Sequence, residues 1–288
     1  MSTAARTHGD DGGAHERARP VARSSSRHGP IAQLLISWSP LSAILVAYAV
    51  AGWISAPLRN GDGAGENRVG AGLHVQGPAL ADERLFGVVP TVWLQERLLA
   101  PEPRWYDAVA SLVYITHFVT IPLLAAWVWF RLRERFGAWL VAVLTMSVVG
   151  ITGYVVYPAA PPWLASDRGA IGAVERASYS GWDYLHLDWL GRLTQAGQDG
   201  SNPVAAMPSL HAGAALLVAL FLWPSVGAVA RAALVAYTCA MGLTLVYTGE
   251  HYVVDIVAGW LVAALGVLAA HVWSTTRGRT GAPGRREP

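Results

Sequence analysis

The sequence contains no lysine: all 21 basic residues are arginine, and 19 acidic residues leave a net charge of only +2. With no dense basic field, a nucleic-acid partner is excluded. Charge of either sign is scarce, at 14% of the 288 residues, whereas 53% are hydrophobic and the mean hydropathy is +0.35. A soluble domain cannot solvate its surface on so little charge, which leaves an integral membrane protein. Cysteine is nearly absent as well. A single residue, Cys239, rules out a disulfide within the chain, and its place in a hydrophobic run reads as small apolar packing.

Large apolar side chains are almost missing from residues 1–30, which are rich in Arg, His, Ser and Gly. Such a stretch buries too little surface to offset the entropy of ordering and reads as a disordered basic tail on the cytoplasmic side. Apolar runs dominate from there on. Crossing the hydrocarbon as a helix takes about 20 apolar residues, and six stretches qualify: 33–56, 106–130, 136–157, 207–224, 227–247 and 251–273. The first is longer than a signal-peptide core and reads as an uncleaved span. The expected fold is therefore all-α, a polytopic membrane protein with six transmembrane helices forming one catalytic domain over 31–273, followed by a disordered cytoplasmic tail over 274–288.

Between spans one and two, Phe86, Val89, Trp93 and Leu94 predict one amphipathic helix over 85–99, too short to cross and suited to the interface. The connection 158–202 is the longest loop, with a Pro-rich start. Trp38, Trp53, Trp127, Trp163 and Trp273 read as interfacial anchors. Gly259 with Ala263 and Gly266 with Ala270 have the small-x-x-x-small spacing of closely packed helices. His117, inside span two beside Thr120, reads as a packed or hydrogen-bonded core histidine, and Asp183 and Asp188 as solvated loop charges.

The chemistry is concentrated in two short segments, Pro208-Ser209-Leu210-His211 and Gly249-Glu250-His251-Tyr252-Val253-Val254-Asp255. His251 and Asp255 are four residues apart, so on a helix they share a face and the carboxylate can hold the imidazole in one orientation. That pair alone is a weak signal, because such spacing also makes ordinary local hydrogen bonds. His211 at the same end of a returning helix pair strengthens it, since ionisable groups converging inside a membrane protein are costly and functional by default. Phosphoryl transfer through a covalent intermediate needs a nucleophile, an orienting group, an acid and donors for the phosphate oxygens. Ser209 and the amides that open span four are candidates for the donors.

These residues resemble the second and third signatures of the type 2 phosphatidic acid phosphatase superfamily, and Met207–Gly213 is most similar to its branch of inositol phosphorylceramide synthases and inositolphosphotransferases. The likeness covers the chain from about residue 100 to 273. It implies that His251 is the nucleophile, Asp255 its partner and His211 the acid for the leaving oxygen, with no metal or other cofactor. Where the phosphatase branch opens its third signature with Ser-Arg, this chain has Thr244 and Leu245. The Lys and Arg-Pro of the first signature have no match, and the resemblance puts Tyr157 and the segment 158–163 in their place as substrate-binding residues. Arg168, Arg176 and Arg192 are the candidates for the missing phosphate grip.

The implied activity is that of a membrane phosphatase or phosphotransferase acting on a lipid or polyprenyl phosphate, with water or a polyol such as inositol as acceptor. Two other classes fit parts of the pattern. His211, His251 and Asp255 have the types of a two-histidine, one-carboxylate metal site, although Ser209 has no part in one. A transporter could use the same polar groups as an ion path, but no ionisable residue deep in spans four to six continues it.

Arginine placement sets the orientation. Arg6, Arg17, Arg19, Arg23 and Arg27 precede span one, Arg131, Arg133 and Arg135 lie between spans two and three, and Arg277, Arg279, Arg285 and Arg286 follow span six. These belong in the cytoplasm. Six spans then put both termini inside and His211 and His251 at the outer face of the plasma membrane. A membrane-impermeant thiol label applied to intact cells is expected to reach a cysteine placed at Ser180 and to miss one at Gly278; the reverse pattern moves the site to the cytoplasmic leaflet.

Overall fold

The computed structural model describes residues 29–58 and 65–280. Apart from residues 29 and 30, the basic tail lies outside the described residues, as do 281–288 of the C-terminal tail. The chain divides into two units, Met1–Trp38, of which the opening turns of the first helix are described, and Ser39–Pro288, which holds every other element. The helices in order are α1 (Pro30–Ser55), α2 (Gln76–Phe86), α3 (Pro90–Leu98), α4 (Trp105–Arg131), α5 (Phe136–Val156), α6 (Pro162–Asp167), α7 (Gly181–Tyr184), α8 (Asp188–Asp199), α9 (Leu210–Leu222), α10 (Ala228–Tyr247) and α11 (Val253–Thr280). Among the described residues there is no strand, only three isolated bridges. The all-α expectation holds.

Five segments are long and apolar enough to cross a membrane: Ile36–Leu58, Trp105–Arg131, Arg133–Val156, Ala228–Tyr247 and Val253–Arg277. The stretch 207–224 differs. Its helix, α9, has 13 residues, about 20 Å at 1.5 Å per residue against about 30 Å of hydrocarbon. Pro208 has no N–H to give, and Ser209 stays extended as the N-cap, its hydroxyl accepting the Ala212 N–H at 3.3 Å, so the helix cannot start before Leu210. Apolar length alone overstates this element. At the other end α11 runs on through residues 274–280, which the sequence assigns to the tail.

The single helix predicted over 85–99 is two. Gly87, at φ +74°, ends α2 in the left-handed conformation, and Pro90 opens α3. Its polar side is not simply solvated either. Gln95 is buried, its amide donating to the carbonyls of Glu175 and Tyr247 at 2.8 Å each and accepting the Glu175 N–H at 2.8 Å. That one side chain ties α3 to the end of α10 and to the long loop. The loop contains α6, α7 and α8, and Asp183 and Asp188 are exposed on it. Cys239 is exposed on α10 and does not pack as its sequence context suggests.

The helix α11 packs most extensively against α5 and α9, and small residues set the distance. A Cβ on Gly259 would lie 2.1 Å from the Ser209 carbonyl oxygen, one on Gly213 2.9 Å from the Gly259 oxygen, and one on Gly266 2.6 Å from the Ala142 oxygen. Backbone therefore touches backbone at these crossings, as the small-residue spacing predicts. Ala263 and Ala270 on the same helix are buried.

Overpacking a close contact costs typically about 1–3 kcal/mol, so Gly259→Ala is expected to lower Tm in detergent and to reduce activity. Gly197→Ala on α8, where a Cβ meets nothing within 4 Å, serves as the control and leaves both unchanged. An unaltered Tm for Gly259→Ala contradicts the close crossing.

Candidate active site

Gly249 makes the turn that delivers His251. It follows α10 at φ +76°, a conformation that L side chains rarely adopt, and a Cβ there would meet the Glu175 oxygen at 2.7 Å. The amides of Glu250 and His251 both return to the Leu245 carbonyl, at 3.0 and 3.1 Å, closing the helix end. His251 thus sits in the turn ahead of α11, with Asp255 in the first turn of the helix. The two remain neighbours: His251 Nδ1 and Asp255 Oδ2 are 3.6 Å apart, with His251 5% and Asp255 0% exposed. Asp255 Oδ2 also accepts the Tyr252 N–H at 2.9 Å, which fixes the carboxylate. The separation is longer than a hydrogen bond, as catalytic contacts often are before substrate tightens them.

His211, the second residue of α9, reaches this pair because α9 and α11 cross closely. The Ser209 N–H donates to the Asp255 carbonyl at 2.9 Å, a direct strut between the two signatures. The His211 and His251 rings are 5.6 Å apart. Ser209 itself is fully buried, and its hydroxyl caps α9. Tyr157 is half-buried, its ring stacked on His74 at 3.7 Å. It does not line the pocket beside His251.

His117 of α4 lies against His211, ring to ring at 3.9 Å, and Tyr114 and Phe118 from the same helix complete an aromatic wall around the His211 imidazole. His117 Nδ1, His211 Nε2 and His251 Nδ1 are buried without a hydrogen-bond partner. The sequence gives His117 a plain packing role. The structure places it at the site.

Beside His251 lies a pocket of about 50 Å³ whose lining includes Trp163, Arg176, Asn202, Glu250 and His251. Of the three arginines considered, Arg176 is the one that reaches it. Arg168 bonds to the Leu58 carbonyl at 3.3 Å, and Arg192 is exposed on α8. Glu250, buried next to His251 in sequence, grips Arg176 through Nε and Nη2 at 2.9 and 3.0 Å and also accepts from Ser178 at 2.5 Å and Gln198 at 3.0 Å. Burial pulls against the Arg176 charge, and Glu250 more than offsets it, so the guanidinium pKa is raised. Trp163 Nε1 and Asn202 Nδ2 are buried donors without partners. With Arg176 they give the pocket the character of an anion site.

The sequence reads Trp163 both as an interfacial anchor and, through the resemblance, as the end of the substrate-binding segment 158–163, and the structure places it and Pro161 on the pocket wall. Glu250 and Asn202 have no role in that reading. Glu250 carried a readable signal, an acid beside a histidine in an apolar context. Asn202 carried none, since nothing local separates a pocket residue from a loop one. Among the described residues, no three or more His, Cys, Asp or Glu side chains are grouped as metal ligands would be.

The chain is 27% identical over 177 residues to the phosphoinositol dihydroceramide synthase of Bacteroides thetaiotaomicron, a match covering 56% of the chain and 54% of that protein. It is 32% identical over 120 residues to the inositol phosphorylceramide synthase catalytic subunit of Saccharomyces cerevisiae, covering 40% of the chain and 29% of that protein. The matched region thus spans about half or less of these curated relatives. No solved structure matches the chain. The profile of the PAP2 superfamily matches residues 80–269, a range that takes in α3 to α10, most of α2 and α11, and every residue of the site described above. The chain belongs to the PAP2 superfamily.

Proposed function

We propose that the protein is a membrane phosphotransferase that acts on a lipid phosphate or phospholipid through a phosphohistidine on His251. The observation that carries this reading is the buried His251–Asp255 pair with His211 across the α9–α11 crossing, beside a pocket walled by unpartnered donors and Arg176. His251 Nδ1 faces Asp255, which leaves Nε2 to attack phosphorus. As the new P–N bond forms, the bond to the lipid oxygen breaks and His211 supplies that oxygen with a proton. The acceptor hydroxyl then returns a proton to His211 while its oxygen displaces His251. Water as acceptor gives hydrolysis, and a polyol such as inositol gives transfer; the names of the two curated relatives favour transfer.

Arg176 stands in for the cations absent from the first and third signatures. Glu250 occupies its Nε and Nη2, leaving Nη1 for a phosphate oxygen, with Trp163 Nε1 and Asn202 Nδ2 alongside. Arg133, Arg135, Arg231 and Arg277 lie over aromatic rings at the opposite ends of the same helices. That distribution supports a six-pass topology, with α9 as a short sixth span and the site toward the outer leaflet.

Purified protein given a lipid phosphodiester and labelled inositol, with chelator present, is expected to form a labelled phosphoinositol product. Activity that chelator abolishes and a divalent ion restores sinks the metal-free reading, and release of headgroup or phosphate with no labelled product from any polyol sinks the transferase one. His251→Ala is expected to abolish the reaction on every substrate. His211→Ala loses roughly 100- to 10,000-fold on an alkyl leaving group, the usual range for general acid catalysis, and recovers part of that on an activated aryl phosphate. Asp255→Asn slows both alike, because it acts through the nucleophile.

A further inference from the structure

The first turn of α11 carries the site, and a helix begins with amides that have no partner of their own. Here three consecutive amides end on carboxylates. Asp255 takes the Tyr252 N–H. Asp82, on α2 and 171 residues away, takes the next two, with Oδ2 accepting from Val253 at 2.8 Å and Oδ1 from Val254 at 3.0 Å. Asp82 is 0% exposed. One turn earlier on α2, Ala79 packs in the same buried cluster as the fully buried Tyr252, so α2 holds the catalytic turn by backbone and by side chain together.

We propose that Asp82 is a positioning residue: its two carboxylate oxygens clamp the Val253 and Val254 amides and so fix the turn that presents His251 and Asp255. A carboxylate meets this task better than an amide or hydroxyl. Both of its oxygens accept, and its charge is favourable at a helix N-terminus. Burial raises the Asp82 carboxyl, the two amide bonds pull it back and nearby Asp255 adds to the rise, a balance that leaves it at about 6, so at neutral pH it is mainly ionised with both oxygens available. Asparagine in its place offers one oxygen and turns an NH₂ toward the other amide, leaving a buried donor facing a donor. The turn then loses its fixed register, and small misplacements of reacting groups cost rate far more than affinity.

The effect on rate rests on His251 acting as proposed above, whereas the clamp itself can be read without activity. In Asp82→Asn, hydrogen exchange by mass spectrometry is expected to be faster across 252–254 by at least about tenfold, with α5 and α10 unchanged. In the phosphotransfer assay kcat is expected to fall roughly 10- to 100-fold while KM stays within about threefold. Wild-type exchange across 252–254 overturns the clamp, and faster exchange with wild-type kcat overturns the positioning role. Should Asp82→Asn be recovered only as aggregate, Asp82→Glu carries the test, since its extra methylene displaces both acceptors; wild-type exchange and kcat in that variant overturn the proposal. Activity surviving His251→Ala overturns the reading of the site instead, and the exchange measurement distinguishes that outcome because it does not depend on catalysis.

Discussion

The crossing of α9 and α11 governs the site. His211 and His251 lie forty residues apart in sequence, and their rings come within 5.6 Å only because Gly213 and Gly259 let the two backbones meet. In a membrane, helices gain little from burying apolar surface against each other, so contact depends on close backbone approach and on hydrogen bonds. Both operate here. The Ser209 N–H to Asp255 carbonyl bond lies at the same crossing as the glycines, so the residue that caps α9 is joined to Asp255, the group proposed to orient the nucleophile.

Around that crossing, polar groups are satisfied by long-range partners. Glu250 gathers Arg176, Ser178 and Gln198 from the long loop, and Gln95 binds the same loop to the end of α10. Each buried charge or amide left alone would be expensive, so these pairings hold the loop in one arrangement over His251. The loop that walls the pocket is therefore fixed by side chains adjoining His251. In the proposed reaction its shape is where acceptor preference would be set.

Local spacing made much of this legible. The His251–Asp255 pair, the Pro208–His211 segment and five of the long helices were readable, because each depends on periodicity or run length within a short window. The length of α9 was not, since counting apolar residues from 207 ignores that Pro208 and Ser209 form its cap. The break between α2 and α3 had a signal in Gly87 and Pro90, outweighed in the reading by the apolar pattern across it. Asp82 and Asn202 lay beyond reach. The contacts of Asp82 span 171 and 172 residues, and the local pattern around either residue carries no trace of its neighbours. His117 is packed, as the sequence reads it, but its neighbour His211 was not legible: a histidine packed against an aromatic wall and one packed against another histidine look the same from within its own helix.

The most direct test is to find where the phosphoryl group rests during turnover. Protein mixed with substrate, denatured within the first turnovers at alkaline pH where a P–N bond survives, and mapped by mass spectrometry is expected to carry its phosphoryl group on His251. The adduct is expected to be absent in His251→Ala. A group found on His211, or turnover with no covalent adduct at any time point, would contradict the arrangement described here.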